Sequence, residues 1–280
     1  MAGGPRILGR LDRSWLLPTT VLGTYAVILL GIYTAAVGAG LTCDARWPLC
    51  DGAVFGLFPA NWPSFVEWFH RLVAMIVGFL IIGSWITLLK TGPRRALAAM
   101  TVAIVLLPVQ IWLGAGTVLE YELATLMAHF LVAFVIFASI IVAAIWSTNF
   151  DPQQWPGIRT LFAVLLVALG PFILLTPHYL VVHTGGVQML YYGLGLFIVG
   201  CLVWIAVTTA TDGISIPALA IVGVVLLVSQ MVTGRVVRTE LLHVVDWVGA
   251  VLTVVVLIIA VFVAHRTERT DTSDYRPLGT

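Results

Sequence analysis

Polar and apolar positions along this chain are segregated into long blocks. Stretches without a single charged residue run over 14–43, 72–89, 96–119, 123–150, 160–211, 213–234 and 247–265. About 20 consecutive apolar residues suffice for a helix to cross some 30 Å of hydrocarbon. The 160–211 block, 52 residues long, holds two such helices. The pattern therefore predicts eight membrane helices, over approximately 15–41, 66–89, 96–118, 122–146, 159–177, 183–209, 215–234 and 240–264. Turn-forming residues separate them: Thr91-Gly92-Pro93 between the second and third, and 151–157, with Pro152, Pro156 and Gly157, between the fourth and fifth.

Composition agrees with the blocks. Of 280 residues, 60% are hydrophobic and only 10% are charged, against about 25% charged in a soluble globule. That excludes a soluble enzyme domain and a disordered chain. The net charge of +1 offers no footprint for a nucleic acid, and leaves the lipid bilayer as the surrounding medium. Arg6, Arg10 and Arg13 precede the first block like the charged region of a signal peptide. That block, however, is about twice the 7–15 residues of a signal core, so it is expected to be retained as a first helix.

With the N-terminus inside, Arg6, Arg10, Arg13, Lys90, Arg94, Arg95, Arg159, Arg266, Arg269 and Arg276 face the cytoplasm. Arg46, Arg71, Arg235 and Arg238 face outward. Ten against four obeys the positive-inside rule, which predicts a multi-pass protein of the cell membrane with both termini cytoplasmic. Cys43 and Cys50 then share the first external loop, on the oxidising side, where paired thiols tend to join. Trp47-Pro48 and Gly52 supply turn chemistry for closure; two unlinked thiols are the alternative. Cys201, mid-helix, reads as a small apolar residue.

Ordered landmarks suggest an internal repeat. Gln110-x-x-x-Gly114 is followed by His129, and Gln230-x-x-x-Gly234 by His243; His70 and His183 each open the second helix of a half. The fold class expected is thus an all-α integral membrane protein, with two pseudo-repeated four-helix bundles over 1–150 and 151–280. Four of the six histidines fall at similar depth near the outer ends of even-numbered helices. Intramembrane ionisable residues are costly and face bundle interiors. A pair of imidazoles on facing helices suits the two axial positions of a haem iron, whereas a zinc centre would call for tighter spacing such as His-Glu-x-x-His. Glu67 lies three residues before His70 and shares its helix face; Asp246 follows His243 by three. A carboxylate so placed can orient an imidazole or handle protons; for Glu67 a solvated helix start is the bland alternative. Arg71, Arg235 and Arg238 lie at the same outer level, suited equally to haem propionates and to interfacial anchoring.

Several motifs resemble the haem A synthase family. These are Gly31-Ile32-Tyr33-Thr34 through Gly40-Leu41-Thr42-Cys43, Trp47-Pro48-Leu49-Cys50-Asp51-Gly52, Glu67-Trp68-Phe69-His70-Arg71, and Gln110-x-x-x-Gly114-x-x-Thr117-Val118 with His129. The resemblance implies an oxidoreductase that converts the C8 methyl group of haem O to the formyl group of haem A by successive hydroxylations, for cytochrome oxidase biogenesis. It implies that His70 and His129 flank the substrate haem in the N-terminal half, that His183 and His243 ligate a resident haem b in the C-terminal half, that Glu67 is the catalytic carboxylate, and that Cys43 and Cys50 form an external pair. Haem O, a haem O synthase and an electron donor of unknown identity would be the partners. A di-haem membrane cytochrome that only transfers electrons fits the bis-histidine pattern equally; the cysteine loop and Glu67-x-x-His70 favour the synthase. A transporter with His and Asp on a proton path has little support beyond Gly170-Pro171.

Overall fold

The computed structural model describes residues 13–43, 46, 50, 53–54, 58–59, 61–119, 122–147, 158–176, 184–210, 215–236, 244–245 and 247–260. They are almost wholly helical: α1 (Arg13–Ala36), α2 (Trp62–Thr91), α3 (Arg94–Leu119), α4 (Leu123–Ser147), α5 (Ile158–Leu174), α6 (Gly185–Thr208) and α7 (Ser215–Val236). An eighth helical segment, α8, is described over Trp247–Ala260. Six helices, α1 to α4, α6 and α7, are long and apolar enough to cross a membrane, and Thr160–Leu174 and Trp247–Ala260 are shorter apolar helices. The chain is a multi-pass membrane protein of the all-α class.

The first helix ends earlier than the hydrophobic pattern suggests. α1 stops at Ala36, and Gly38 takes the left-handed conformation, with φ of 69°, which a side chain would disfavour. A single 3-10 turn, Ala39–Leu41, then redirects the chain. α2, by contrast, begins four residues before its expected start at 66. Asn61 Oδ1 accepts the Ser64 amide at 2.9 Å and Pro63 sits in the first turn, and both are helix-initiating features that a hydrophobicity pattern ignores. Between the two helices, Ala53–Val54 pairs antiparallel with Phe58–Pro59.

The chain divides into two units. One holds α1 to α4 with the first turns of α6, up to Gly193; the other holds α5, the remainder of α6, α7 and α8. In the first unit α1 packs on α2 and α4, and α3 on α4 and α2, so the four helices close a ring. Half of the ring is a dry core. Leu17, Val77, Ile81, Leu88, Met100, Ile136 and Ile140, with Ala96, Ala103 and Ala143 between them, fill the end where α1 starts and α2 turns into α3. Small residues there let the backbones approach closely. Thr20 and Ser84, both fully buried, share a hydrogen bond of 2.8 Å across this core, so neither hydroxyl is left unpaired in an apolar medium. Trp85 Nε1 donates to Thr101 Oγ1 at 3.0 Å and ties α2 to α3. The start of α6 joins the same unit through the Tyr25 hydroxyl, which donates to the Gly193 carbonyl at 2.9 Å. Tyr192 stands edge-on to Phe130.

In the second unit Phe162, Leu165, Phe172, Leu196, Leu202, Leu227 and Met231 are buried. Large apolar side chains such as Phe79, Val105, Trp112 and Val167 point outward, as lipid-facing positions do.

Candidate functional site

The other end of the first ring carries the chemistry. Here α1 finishes, α2 starts, α3 finishes and α4 starts, and the polar side chains of His70, His129, Glu67 and Gln110 lie among buried apolar ones such as Val66, Leu113 and Phe130. His70 on α2 leans on α1 so closely that a Cβ on Gly31 would lie 2.9 Å from its Cε1 and 3.3 Å from its Nε2. His129 on α4 leans on α3 in the same way, with a Cβ on Gly114 falling 3.1 Å from its Cε1. Two imidazoles thus occupy notches that only glycine leaves open. His129 lies within electrostatic reach of both His70 and Glu67.

Hydrogen bonding at the two rings is incomplete. Nδ1 of His70 and Nδ1 of His129 are both buried and have no partner within the protein. Nε2 of His129 meets the carboxamide nitrogen of Gln110 at 3.3 Å, while Gln110 Oε1 is buried without a partner. Buried polar groups in native proteins are nearly always satisfied, and exceptions tend to mark places where a ligand or water completes the set. Imidazoles seated in glycine notches, with buried polar atoms beside them left for a ligand or water to complete, are residues that could hold a haem iron.

Glu67 stands one turn before His70 and is only 5% exposed; it is no solvated helix start. Arg71 Nε donates to its Oε1 at 2.7 Å, and Arg71 Nη1 donates to the Arg46 carbonyl at 2.9 Å. The 3-10 turn roofs the acid, since a Cβ on Gly40 would be 3.7 Å from Glu67 Oε2. Arg46 lies inside the ring closed by the Cys43–Cys50 disulfide, whose Cα atoms are 4.4 Å apart and whose cysteines are both buried. Ser64, on the first turn of α2, donates to the Thr42 carbonyl at 3.1 Å and fastens the same loop from below. Beside this knot Phe58, Trp62, Phe65, Trp68 and Phe69 form an aromatic cluster of tilted and stacked pairs at centroid spacings of 5.1–5.9 Å, in the manner of an interfacial belt.

The structure thus brings together His70, His129, Glu67, Cys43 and Cys50. His183, His243 and Asp246 lie outside the described residues, as do His178, Arg238 and His265 and the side chain of Arg235. Cys201 is partly buried within α6. The repeat landmark in the second unit is described through Gln230. Gln230 Oε1 accepts from Thr253 Oγ1 at 3.3 Å, and the side chain lies against Gly249. Two features of the first site escape a reading by motif alone. The Glu67–Arg71 pair is signalled by its four-residue spacing on one helix, but the reach of Arg71 to a loop carbonyl has no sequence signal. Gln110 is visible as a landmark, yet its bond to an imidazole requires the α3–α4 packing.

Comparison with known proteins shows the family. The profile of the cytochrome oxidase assembly proteins, COX15-CtaA, matches residues 13–177. The chain is 39% identical over 132 residues to a protoheme IX farnesyltransferase of Haloarcula marismortui, which covers 47% of this chain and 28% of that protein. It is 33% identical over 175 residues to a haem A synthase of Shouchella clausii, 59% of this chain and 57% of that one. With a haem A synthase of Bacillus licheniformis it shares 29% identity over 140 residues, 48% and 45% of the two chains. The aligned part therefore spans well under two thirds of each of these relatives. No solved structure matches.

Proposed function

Because the chain belongs to the COX15-CtaA family of cytochrome oxidase assembly proteins, we propose that it is a haem A synthase, an oxidoreductase of the cell membrane that oxidises the C8 methyl group of haem O to a formyl group by successive hydroxylations. The observation that carries this reading is the pair of notched imidazoles, His70 and His129, beside a buried carboxylate, Glu67. An electron carrier needs the imidazoles but has no use for the acid. The relatives named haem A synthase point the same way.

In this reading the N-terminal half, 1–150, takes the substrate haem between His70 and His129. The C-terminal half, 151–280, holds a resident haem b through His183 and His243. Haem iron supplies the redox chemistry; the chain supplies ligands, orientation and proton handling. Glu67 sits one helical turn from an iron ligand and accepts or delivers a proton at its carboxylate as the methyl group is oxidised. Arg71 keeps that carboxylate in place. The disulfide loop and the 3-10 turn cover the acid and limit the access of water. Eight spans with both termini in the cytoplasm place the whole site at the outer face of the membrane. Haem O is a prenylated haem, so a protoheme farnesyltransferase is the fitting supplier, in keeping with the relatives that bear that name. An electron donor completes the partners.

The test is co-expression with a source of haem O, followed by extraction and mass analysis of the haems. Haem A should appear with the wild-type chain and not with the empty host. Recovery of haem O alone, from a protein whose haems are nonetheless reducible, would favour a di-haem electron carrier.

A further inference from the structure

The bond between Gln110 and His129 is on the wrong nitrogen for the orienting partner of an imidazole that ligates iron through Nε2. A ligating imidazole is ordinarily oriented by a partner on the nitrogen that does not bind metal. Here the carboxamide meets Nε2, at 3.3 Å, while Nδ1 is buried with no partner. The contact is long for a hydrogen bond, and it leaves Gln110 Oε1 buried and unsatisfied. Exchanging the amide nitrogen and oxygen moves the unsatisfied atom but does not remove it. In either orientation one weak bond occupies Nε2 and two buried polar atoms go unpaired. The ring packs against Gly114 at Cε1, where a Cβ would fall 3.1 Å away, and the carboxamide is the group that must move for Nε2 to take another partner.

On the reading of this site as a haem site, we infer that Gln110 is a positioning residue that holds Nε2 of His129 in place of iron while the substrate haem is away, and yields it when the haem arrives. Such a stand-in makes the site competitive with itself. It weakens haem binding by the worth of one hydrogen bond, about two- to ten-fold, and so favours turnover of a haem that must leave as product. Among the described residues of the second unit, the corresponding Gln230 accepts a hydrogen bond from Thr253 on α8.

The test titrates purified full-length protein with ferric haem and follows the Soret shift of bis-imidazole ligation, counting uptake beyond any haem already bound. Gln110→Leu keeps the side-chain bulk and removes the competing amide; Gln110→Ala guards against a packing artefact. Both should bind the added haem about two- to ten-fold more tightly than wild type, with helix content and melting temperature retained. Equal or weaker binding in both would overturn the stand-in role and make Gln110 an ordinary orienting group or a bystander. His129→Ala separates the two levels of inference. If it leaves added-haem uptake unchanged, the haem reading of this site fails and the role of Gln110 with it. If it abolishes uptake, the Gln110 variants alone decide.

Discussion

Arg71 holds Glu67 at 2.7 Å from one turn further along α2, and with its other arm takes the carbonyl of Arg46, inside the disulfide ring, at 2.9 Å. The carboxylate next to a candidate iron ligand is thereby joined to the external loop through one guanidinium. A buried acid with a charged partner and a roof of backbone is a costly arrangement and a strained choice for stability alone. It is well suited to a group that must hold one geometry.

Glu67→Gln keeps the size of the side chain and its capacity to accept from Arg71, and removes the titratable proton. The variant should insert, retain its resident haem, and accumulate haem O or a hydroxylated intermediate. A general acid–base contribution of about 10²–10⁴ in rate would make the loss of haem A nearly complete in a steady-state assay. Wild-type haem A at equal expression would remove Glu67 from the mechanism.

The disulfide closes a short loop, with seven residues of separation between Cys43 and Cys50. Chain-entropy arguments give such a closure about 2–3 kcal/mol. Replacing both cysteines by Ser should lower the melting temperature, free the Arg46 carbonyl from Arg71, and reduce haem A formation more than resident haem content. Thiol labelling of the unreduced wild type is the companion measurement. Labelling of both cysteines without reductant would contradict the bond.

Glycine notches are testable by adding one methyl group. Gly31→Ala would place Cβ 2.9 Å from His70 Cε1, and Gly114→Ala 3.1 Å from His129 Cε1. Overpacking of this kind costs about 1–3 kcal/mol, to be read as a roughly five-fold or greater loss of added-haem uptake, larger for Gly31→Ala. Gly78 and Gly83 have nothing within 4 Å of a built Cβ. Gly78→Ala and Gly83→Ala should leave uptake unchanged and raise helix stability by about 0.5–1 kcal/mol. Equal effects at all four positions would mean that the notches do not set the imidazoles.

Topology rests on ten basic residues against four. Reporter domains fused after Ser147 and after Thr280 should both report a cytoplasmic position. An external signal from either would break the eight-span arrangement. In the C-terminal half, His183→Ala and His243→Ala should each strip the resident haem b measured in purified protein. Loss of that haem from His70→Ala and His129→Ala instead would reverse the assignment of haems to halves.

Hydrophobic blocks alone determine that this chain lives in a membrane as helices, because a span needs little more than about 20 apolar residues and an internally satisfied backbone. Glu67 and His70 on one face of α2 are likewise legible, since helical periodicity fixes neighbours three and four residues apart. The ends of helices are less so: α1 stops at Ala36, before the left-handed Gly38, and α2 starts at Trp62, behind the Asn61 cap, through local backbone and capping geometry that an apolar count passes over. What only the tertiary structure decides is which residues from different helices meet. Gly31 against His70, Gly114 against His129, and Gln110 on Nε2 depend on the azimuth and depth at which α1 to α4 close their ring. Packing between lipid-soluble helices depends on close fit and a few hydrogen bonds rather than on a hydrophobic gradient. A sequence of apolar blocks leaves those choices open. Among the described residues, Gln110 of the first landmark meets an imidazole and Gln230 of the second meets a threonine.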